Sequence, residues 1–489
     1  MYEPLITNDA TVLGILISVL AFLFYTDGLD RPFFKSFYKV IPLLLLAYFI
    51  PAIIGSLGII APHWYDMAAS LELLTSKGIT ADASNYADLI KQMLEEGTLS
   101  SSEVSPLARE SDLYFVASRY LLPASLILLT LSTDLKAIFS LGPKALIMFF
   151  TATLGIVIGG PVALWLVAQL EPSLLDANGE NSIWKGLATV AGSWIGGGAN
   201  QTAMKEIYGA GDTLFGAMII VDVFVANLWM AFLLYGAGMS DKMDKRLKAD
   251  NSSITLLKEK VTAFQSQIAR VATFKDLIMV MAVAFAIVGL SHFLADNVSA
   301  EMAPFLKEKW SRMVEGKMVV DPDSKWHYAA SLKSDFFWLI VFSTTFGLLA
   351  SMTKLRNLEG AGASKFGSVF IYILVVTIGM KMNLVELYHN WADYKFLILI
   401  GLVWMLVHVT LLLIVAKIVK APFFFVAVGS QANVGGAASA PIVASAFSPA
   451  LATVGVLLAV LGYALGTFAA IFCALMMQAL SDPDIISLF

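Results

Sequence analysis

Two glycine-rich segments carry the side chains best suited to bind a solute. The first, GSWIGGGANQTA, begins at Gly192, and the second, GSQANVGGAASAP, begins at Gly429. Irregular backbone at membrane depth survives only where protein buries it or where it lines a water-filled cavity. There, carbonyl groups can replace the hydration shell of Na⁺, and N–H groups at a helix N-terminus attract an anionic group. Such interruptions at corresponding positions of two halves are the best sequence indication of a transporter's binding site.

Residues of both segments form the predicted solute site. Their glycines free the backbone, and their amide and hydroxyl side chains supply hydrogen-bond donors and acceptors for a polar solute. The predicted site consists of Gly197, Gly198, Asn200, Gln201, Thr202, Ser430, Gln431, Asn433, Gly435, Gly436 and Ser439. Close helix packing through small residues would explain the glycines as well, but it does not explain the amides.

One acidic residue, Asp222, lies in the middle of the apolar run GAMIIVDVFVANLWMAF. A charge at the centre of a bilayer costs at least about 2.5 kcal/mol, so such a residue is a functional candidate by default. We predict that Asp222 is the ligand of a coupling ion, Na⁺ before H⁺, and that Asn227 extends the polar track. The alternative is a structural hydrogen bond or ion pair inside the bundle, with Lys205 and Glu206 as candidate partners.

Four other polar residues in or near apolar runs stay outside the predicted site. Charge near the membrane surface accounts for Asp134 and Asn383, and an outward-reaching side chain accounts for Arg119. His408 could relay protons, but a hydrogen bond within the helix bundle explains a lone histidine as well.

Composition places these motifs in a membrane protein. The 489 residues are 58% hydrophobic and only 14% charged, and apolar stretches of about 20 residues, enough to cross a bilayer as a helix, recur along the chain. No second, soluble domain is predicted. Ten spanning helices are predicted near residues 10–26, 38–60, 113–133, 144–169, 212–238, 276–295, 336–352, 365–385, 395–418 and 449–478.

Loop charge predicts the topology. Residues 61–112 carry nine acidic and three basic residues, whereas residues 239–275 carry eight basic residues. The positive-inside rule therefore places the first loop outside and the second in the cytoplasm. This arrangement requires 184–209 and 421–446 to be re-entrant hairpins rather than full crossings. Both termini are then predicted outside a bacterial inner membrane, and the start MYEPLITND, which lacks a basic region, predicts no cleaved signal peptide.

Each half of the chain then contains five spans and one hairpin, so equivalent helices run in opposite directions. Gly192-Ser193 matches Gly429-Ser430, and Gly197-Gly198-Ala199 resembles Gly435-Gly436-Ala437. We predict an all-α polytopic membrane protein of two inverted repeats, residues 1–238 and 276–489, joined by a basic cytoplasmic linker at 239–275. Chance similarity of glycine-rich segments is the alternative explanation for the motif match alone.

Several other functional classes find no support in the sequence. A net charge of −5 offers no basic surface for nucleic acid, and a single cysteine, Cys473, allows neither an intramolecular disulfide nor a cysteine metal cluster. The motifs HExxH, GxSxG and the P-loop are absent, which argues against an enzyme and against a P-loop ATP-driven pump. No cofactor is predicted apart from a coupling ion, Na⁺ or H⁺.

At GSWIGGGANQ, in the helix of Asp222 and at VGSQANVGGAASAP, the chain resembles the YjcL-like family of uncharacterised bacterial membrane proteins over most of its length. In repeat layout it is similar, more distantly, to the glutamate:sodium symporters and the 2-hydroxycarboxylate transporters. That resemblance implies a scaffold domain that forms a homodimer, a mobile core that contains both hairpins, and an elevator-like movement. The long loops at 61–112 and 296–335 depart from those compact relatives.

These features together predict a secondary active transporter in the lipid bilayer. The first hypothesis is a cation-coupled symporter of a small polar or anionic organic solute, such as an amino acid, a short peptide or a carboxylate. A cation/proton antiporter, in which Asp222 alternates between Na⁺ and H⁺, is the first alternative. A channel or a ligand-binding membrane sensor is the second, although a channel needs no inverted repeats and no cytoplasmic output domain is visible.

Overall fold

The structure is a computed structural model dominated by α-helices. It describes residues 2–41, 43–131, 138–139, 141–175, 179, 181–250, 272–309, 311–314, 317–320, 332–382, 384–389, 391–448 and 451–481. Asp134, Asn383 and most of the predicted linker lie outside these residues. Within them, eight helices are long and apolar enough to cross a membrane, or nine if one bent pair counts as a span. The prediction of an all-α polytopic membrane protein is confirmed.

The first three helices differ from the predicted pair of spans. Helix α1 is Asp9–Asp27, α2 is Pro32–Val40 and α3 is Leu43–Ser56. Two helices thus replace the single span predicted at 38–60. The chain becomes extended at Ile41 (φ −116°, ψ 102°), which precedes Pro42, because a residue before proline disfavours the helical conformation.

Residues 63–110 fold into a compact subdomain with a core of its own. Strands β1 (His63–Tyr65) and β2 (Ala108–Glu110) pair antiparallel. Between them lie α4 (Met67–Ser76), α5 (Tyr86–Glu95) and α6 (Ser101–Val104). Their buried apolar side chains form a separate core of Leu74, Tyr86, Ala87, Ile90, Met93, Leu99, Val104 and Leu107. This core stabilises the fold of a connecting segment whose charged residues are mostly acidic.

The remaining helices include the two glycine-rich segments. Helix α7 is Leu113–Leu131, with a π-helical turn at Ala117–Leu121. The next helices are α8 (Pro143–Ala168), α9 (Ile183–Tyr208), α10 (Asp212–Ala237), α11 (Ser240–Leu247) and α12 (Phe274–Lys309). Strands β3 (Ser311–Val314) and β4 (Lys317–Val320) form a second ribbon. The last helices are α13 (Asp335–Ser351), α14 (Ala363–Lys381), α15 (Leu384–His389), α16 (Trp391–Ile418), α17 (Phe423–Val434), α18 (Gly436–Phe447) and α19 (Ala452–Leu480).

The chain forms two compact units. One contains Met1–Arg119 and Tyr372–His389, and the other contains Tyr120–Ile371 and Asn390–Phe489. Both glycine-rich segments belong to the second unit. Each unit draws on both halves of the sequence, so the inverted repeats with the boundaries 1–238 and 276–489 stay a prediction.

Within the second unit, α19 touches both glycine-rich segments through its own glycines. A Cβ built on Gly466 would lie 2.5 Å from the Cα of Gly196. A Cβ built on Gly462 would lie 2.7 Å from the carbonyl oxygen of Ile195 and 3.3 Å from that of Ala432. The backbones therefore meet at distances that leave no room for a methyl group, as in membrane helix contacts through small residues.

We expect Gly466→Ala to destabilise the protein by about 1–3 kcal/mol, because the added methyl group overpacks the contact with Gly196. Gly289→Ala in α12 is the matched control, since no atom of the described residues lies within 4 Å of a Cβ at that position. The control should leave stability unchanged or raise it by up to about 1 kcal/mol through helix propensity. Thermal unfolding of the two purified variants measures the difference, and equal melting temperatures would contradict the close contact.

Candidate functional site

The first glycine-rich segment is a helical hairpin. Helix α9 reverses direction at Gly197, whose backbone (φ 73°, ψ −172°) is one that glycine adopts readily. Residues equally far from the turn therefore meet. The rings of Trp184 and Tyr208, at the two ends, have centroids 5.4 Å apart, and the backbone of Gly192 packs against that of Asn200. We call α9 the first hairpin.

The second glycine-rich segment has the same shape. Helices α17 and α18, which we call the second hairpin, are separated by a turn in which Gly436 has a left-handed φ of 57°. The rings of Phe423 and Phe447 at its two ends have centroids 6.1 Å apart. Near the turn, Gln431 Nε2 donates a hydrogen bond to Ser439 Oγ at 2.7 Å. The two ends of each interrupted segment thus lie close together.

The hairpins enter from opposite ends of α10. At the start of α10, the carboxylate of Asp212 lies 2.9 Å from Lys205 Nζ on the returning arm of the first hairpin. Helix α11, which follows the other end of α10, holds the start of the second hairpin, because Asp244 Oδ1 accepts a hydrogen bond from the Phe423 N–H at 2.7 Å. Their tips therefore point toward each other.

The two tips meet at Tyr463 in the middle of α19. A Cβ built on Gly197 would lie 3.3 Å from the Cε1 of Tyr463, and one built on Gly436 would lie 3.8 Å from the same atom. Gly197, Gly198 and Tyr463 are half-buried, whereas Gly436 is buried. No described atom lies within 4 Å of a Cβ built on Gly198. The candidate site thus has two glycine turns and one tyrosine edge, and the described residues leave space beside the first turn.

Asp222 lies against the first hairpin and joins its two arms. The Ser193 hydroxyl and the Trp194 indole N–H, before the turn, each donate to its carboxylate at 2.6 Å. Gln201 Nε2, after the turn, donates to it at 3.1 Å. Asp222 is only 7% exposed, and these partners are all uncharged.

Each hairpin contains an asparagine whose side chain binds a backbone carbonyl of the same hairpin, across the turn at Asn200 and within one arm at Asn433. Asn200 Nδ2 donates to the Gly196 carbonyl at 2.9 Å, and Asn433 Nδ2 donates to the Gly429 carbonyl at 3.0 Å. Their side-chain oxygens accept hydrogen bonds from the hydroxyls of Thr467 at 2.5 Å and Thr153 at 2.8 Å, respectively. Both asparagines are fully buried.

Ser430 connects the second hairpin to two other helices. Its hydroxyl accepts a hydrogen bond from the Trp229 indole N–H at 2.8 Å and lies 2.8 Å from His408 Nε2. The other ring nitrogen of His408 lies 3.1 Å from the Ala152 carbonyl oxygen. A carbonyl only accepts, so a neutral imidazole protonated at Nδ1 allows Ser430 to donate to Nε2 and leaves every donor paired.

Of the remaining candidate residues, Thr202 lies at the first turn, whereas Asn227 and Lys205 form no described hydrogen bond with Asp222. Thr202 Oγ1 donates to the Gly198 carbonyl at 2.9 Å, so it caps the first turn. Asn227 Nδ2 donates to the Val223 carbonyl of its own helix at 2.7 Å, and no described hydrogen bond joins Asn227 to Asp222. Lys205, with Glu206 and Asp212, forms an ion-pair group at the mouth of the first hairpin instead of pairing with Asp222.

Comparison with known proteins extends these observations. Residues 94–480, most of the chain, match the family model described as a protein of unknown function, DUF819. The chain belongs to the DUF819 family. It is also similar to the uncharacterized membrane protein YjcL of Bacillus subtilis (strain 168), with 24% identity over 164 residues, which are 32% of this chain and 39% of that relative. The resemblance to the YjcL-like family is confirmed.

Several site residues of this DUF819 protein were missed by the sequence analysis. Tyr463 and Thr467 lie in GYALGT, within a run assigned as a plain span. The pair Gly462 and Gly466 in that run has the spacing of a close helix contact, and this signal could have marked α19. Trp229 and Thr153 carry no comparable signal, because their roles depend on contacts with distant parts of the chain.

We expect Gly197→Ala to destabilise the first hairpin by about 1–3 kcal/mol, because its backbone conformation is one that residues with a Cβ rarely adopt. Gly198→Ala places a methyl group into open space and should change stability little. The melting temperatures of the two neighbouring variants test whether the chain reverses at Gly197. If Gly198→Ala lowered the melting temperature more than Gly197→Ala does, the chain would not reverse at Gly197.

Proposed function

We propose that this DUF819 protein is a secondary active transporter whose solute site lies between the two hairpin tips and Tyr463. The meeting of two oppositely inserted hairpins at one tyrosine of α19 carries this proposal. Non-helical backbone inside a membrane bundle exposes carbonyl and N–H groups that a solute or ion can use. Because the hairpins enter from opposite ends, each can close the site toward one side, as alternating access requires.

The surroundings of Asp222 support coupling to a cation. Ser193, Trp194 and Gln201 donate hydrogen bonds to its carboxylate without adding positive charge. A buried carboxylate without a cationic partner is unfavourable in a low-dielectric interior, so a bound cation would stabilise it. We favour Na⁺ over H⁺, because both carboxylate oxygens accept hydrogen bonds from these donors, an arrangement that favours the ionised form.

The position of Asp222 suggests how the ion would control the hairpin. Ser193 and Gln201 lie on opposite arms of the first hairpin, and both donate to the same oxygen, Oδ2. A cation bound at this carboxylate would compete with one or both bonds. The spacing of the arms, and with it the position of Gly197 at the tip, would then depend on ion occupancy. Ion binding and solute binding would thus share one structural element.

The rest of the proposal follows the resemblance to symporters in repeat layout. The solute would be small and polar, as an amino acid, a short peptide or a carboxylate is. The protein would form a homodimer in a bacterial inner membrane, with both termini outside, and its core would move like an elevator. The proposal assigns no catalytic residue and no cofactor other than the coupling ion.

A cation/proton antiporter is the second candidate function. It is favoured by the same uncharged partners of Asp222, because a single carboxylate that exchanges Na⁺ for H⁺ needs no organic solute. The two candidates differ in whether a solute adds to the effect of Na⁺.

We expect Na⁺ to raise the melting temperature of the detergent-purified protein above its value in choline at matched ionic strength. A ligand at a hundred times its Kd stabilises the native state by about 2.7 kcal/mol. Asp222→Asn should abolish this shift, because the cation loses its charged partner. Asp250→Asn is the control, since Asp250 is exposed and pairs with Lys144 at 2.9 Å, and it should keep the shift.

A panel of amino acids, peptides and carboxylates, each tested with Na⁺ and with choline, separates the two functions. A solute that stabilises the protein only with Na⁺, and that a Na⁺ gradient drives into proteoliposomes, would support the symporter. Stabilisation by Na⁺ alone, with Na⁺/H⁺ exchange and no responsive solute, would support the antiporter. An unchanged Na⁺ shift in Asp222→Asn would contradict the role of Asp222 in both.

A further inference from the structure

The hydrogen bonds at the hairpin tips leave one polar side chain incompletely paired. Asn200, Asn433 and Ser430 use their side chains to hold the hairpins, and Gln201 Nε2 binds Asp222. Gln431 is 1% exposed, yet its Oε1 accepts no hydrogen bond from any described residue. An unpaired buried acceptor of this kind destabilises the protein, so a ligand that donates to it would be bound more tightly.

Gln431 lies directly at the turn of the second hairpin. Its backbone carbonyl accepts the hydrogen bond of the Gly435 N–H at 2.9 Å, and its Nε2 bonds to Ser439 beyond the turn. A Cβ built on Gly435 would lie 2.3 Å from Gln431 Nε2. The amide therefore covers the turn, beside Gly436, where a built Cβ would lie 3.8 Å from Cε1 of Tyr463. Turning the amide by 180° would exchange its oxygen and nitrogen, so the experiment must distinguish an acceptor from a donor.

The charges around the tips restrict the solute further. The predicted tip side chains are amides and hydroxyls, and the carboxylate of Asp222 adds negative charge at the first hairpin. The buried cation of the first hairpin, Lys205, is already held by Asp212 and Glu206. A solute with several negative charges would therefore meet no positive side chain among these described residues. A single carboxylate could still be held by the N–H groups that begin the 12-residue helix α18.

We propose that the solute carries an N–H donor, such as an amino group, which binds Gln431 Oε1 at the second hairpin tip, and that its net charge is close to zero. This inference rests on the proposed function of the tips as a solute site. It selects amino acids and short peptides over di- and tricarboxylates. Gln431 supplies the acceptor, the start of α18 supplies donors for the solute's carboxylate, and the space that the described residues leave beside Gly198 would take its side chain.

Matched pairs of compounds test the proposal with the full-length, purified protein in Na⁺. Each pair is an amino acid and the carboxylic acid with the same carbon skeleton but no amino group, such as alanine with propionate and leucine with 4-methylpentanoate. The melting temperature is measured over a concentration series to obtain an apparent Kd. We expect at least one amino acid to raise the melting temperature and its amine-free partner to have no effect.

Two substitutions of Gln431 separate an acceptor from a donor. Gln431→Glu keeps oxygen acceptors and loses the N–H group, so the amino acid should still raise the melting temperature. Gln431→Met keeps the length of the side chain but removes the acceptor, and the Kd should rise about tenfold or more, as expected when a hydrogen bond to a charged group is lost. Ser445→Ala is the control, because Ser445 Oγ bonds to the Ile442 carbonyl within α18, away from the tip.

The inference is overturned by any of three results: equal stabilisation by both members of each responsive pair, loss of the effect in Gln431→Glu, or an unchanged Kd in Gln431→Met. It is overturned as well if no compound with an amino group stabilises the protein. The proposed transport function survives each of these results if an Asp222-dependent ion gradient still drives flux of another solute. If Gln431→Met does not fold, the Gln431→Glu variant and the compound pairs still test the proposal.

Discussion

The backbone contact between α19 and the two hairpins is the constraint on which the site depends. Gly462 lies between the carbonyl groups of Ile195 and Ala432, and each of these is the third residue after the glycine of a Gly-Ser pair. One glycine therefore touches equivalent points of both hairpins. A larger residue would push the hairpins away from α19, so Gly462 sets how closely the tips approach Tyr463 in the next position.

Because the hairpins lie in apolar surroundings, their asparagine side chains bind backbone groups that water would otherwise bind. A hairpin turn removes backbone groups from regular helical bonding, and in a membrane bundle water is not available to replace those bonds. Asn200 meets part of this need by binding the carbonyl group of Gly196 across the turn, and Asn433 binds the carbonyl group of Gly429 within α17. Their side-chain oxygens then require donors from other helices. Most polar groups at the tips are thus part of the scaffold, which leaves few to recognise a solute.

Sequence patterns predicted the features that neighbouring residues along the chain determine. Apolar runs marked the long helices, and glycine clusters with loop charge marked the two hairpins. The common core of the 63–110 subdomain was not predicted, because it combines short helices whose apolar residues are separated by acidic ones. The partners of Asp222 were missed for another reason. The run around Asp222 shows a buried acid, but only the reversal at Gly197 brings Ser193 and Gln201 to it from both arms.

The two Gly-Ser pairs have different partners, and this difference suggests a division of labour. Ser193 binds an acid, Asp222, whereas Ser430 binds the imidazole of His408, whose contacts are all satisfied when it is neutral. The first hairpin is therefore bound to a carboxylate of α10, on which the proposed cation site depends, whereas the serine of the second hairpin is bound to no charged group. At the second tip the incompletely paired group is the amide of Gln431, which suits a polar solute. If both tips close on Tyr463 together, an ion at one hairpin and a solute at the other would favour the same closed arrangement, which is the requirement for coupled transport.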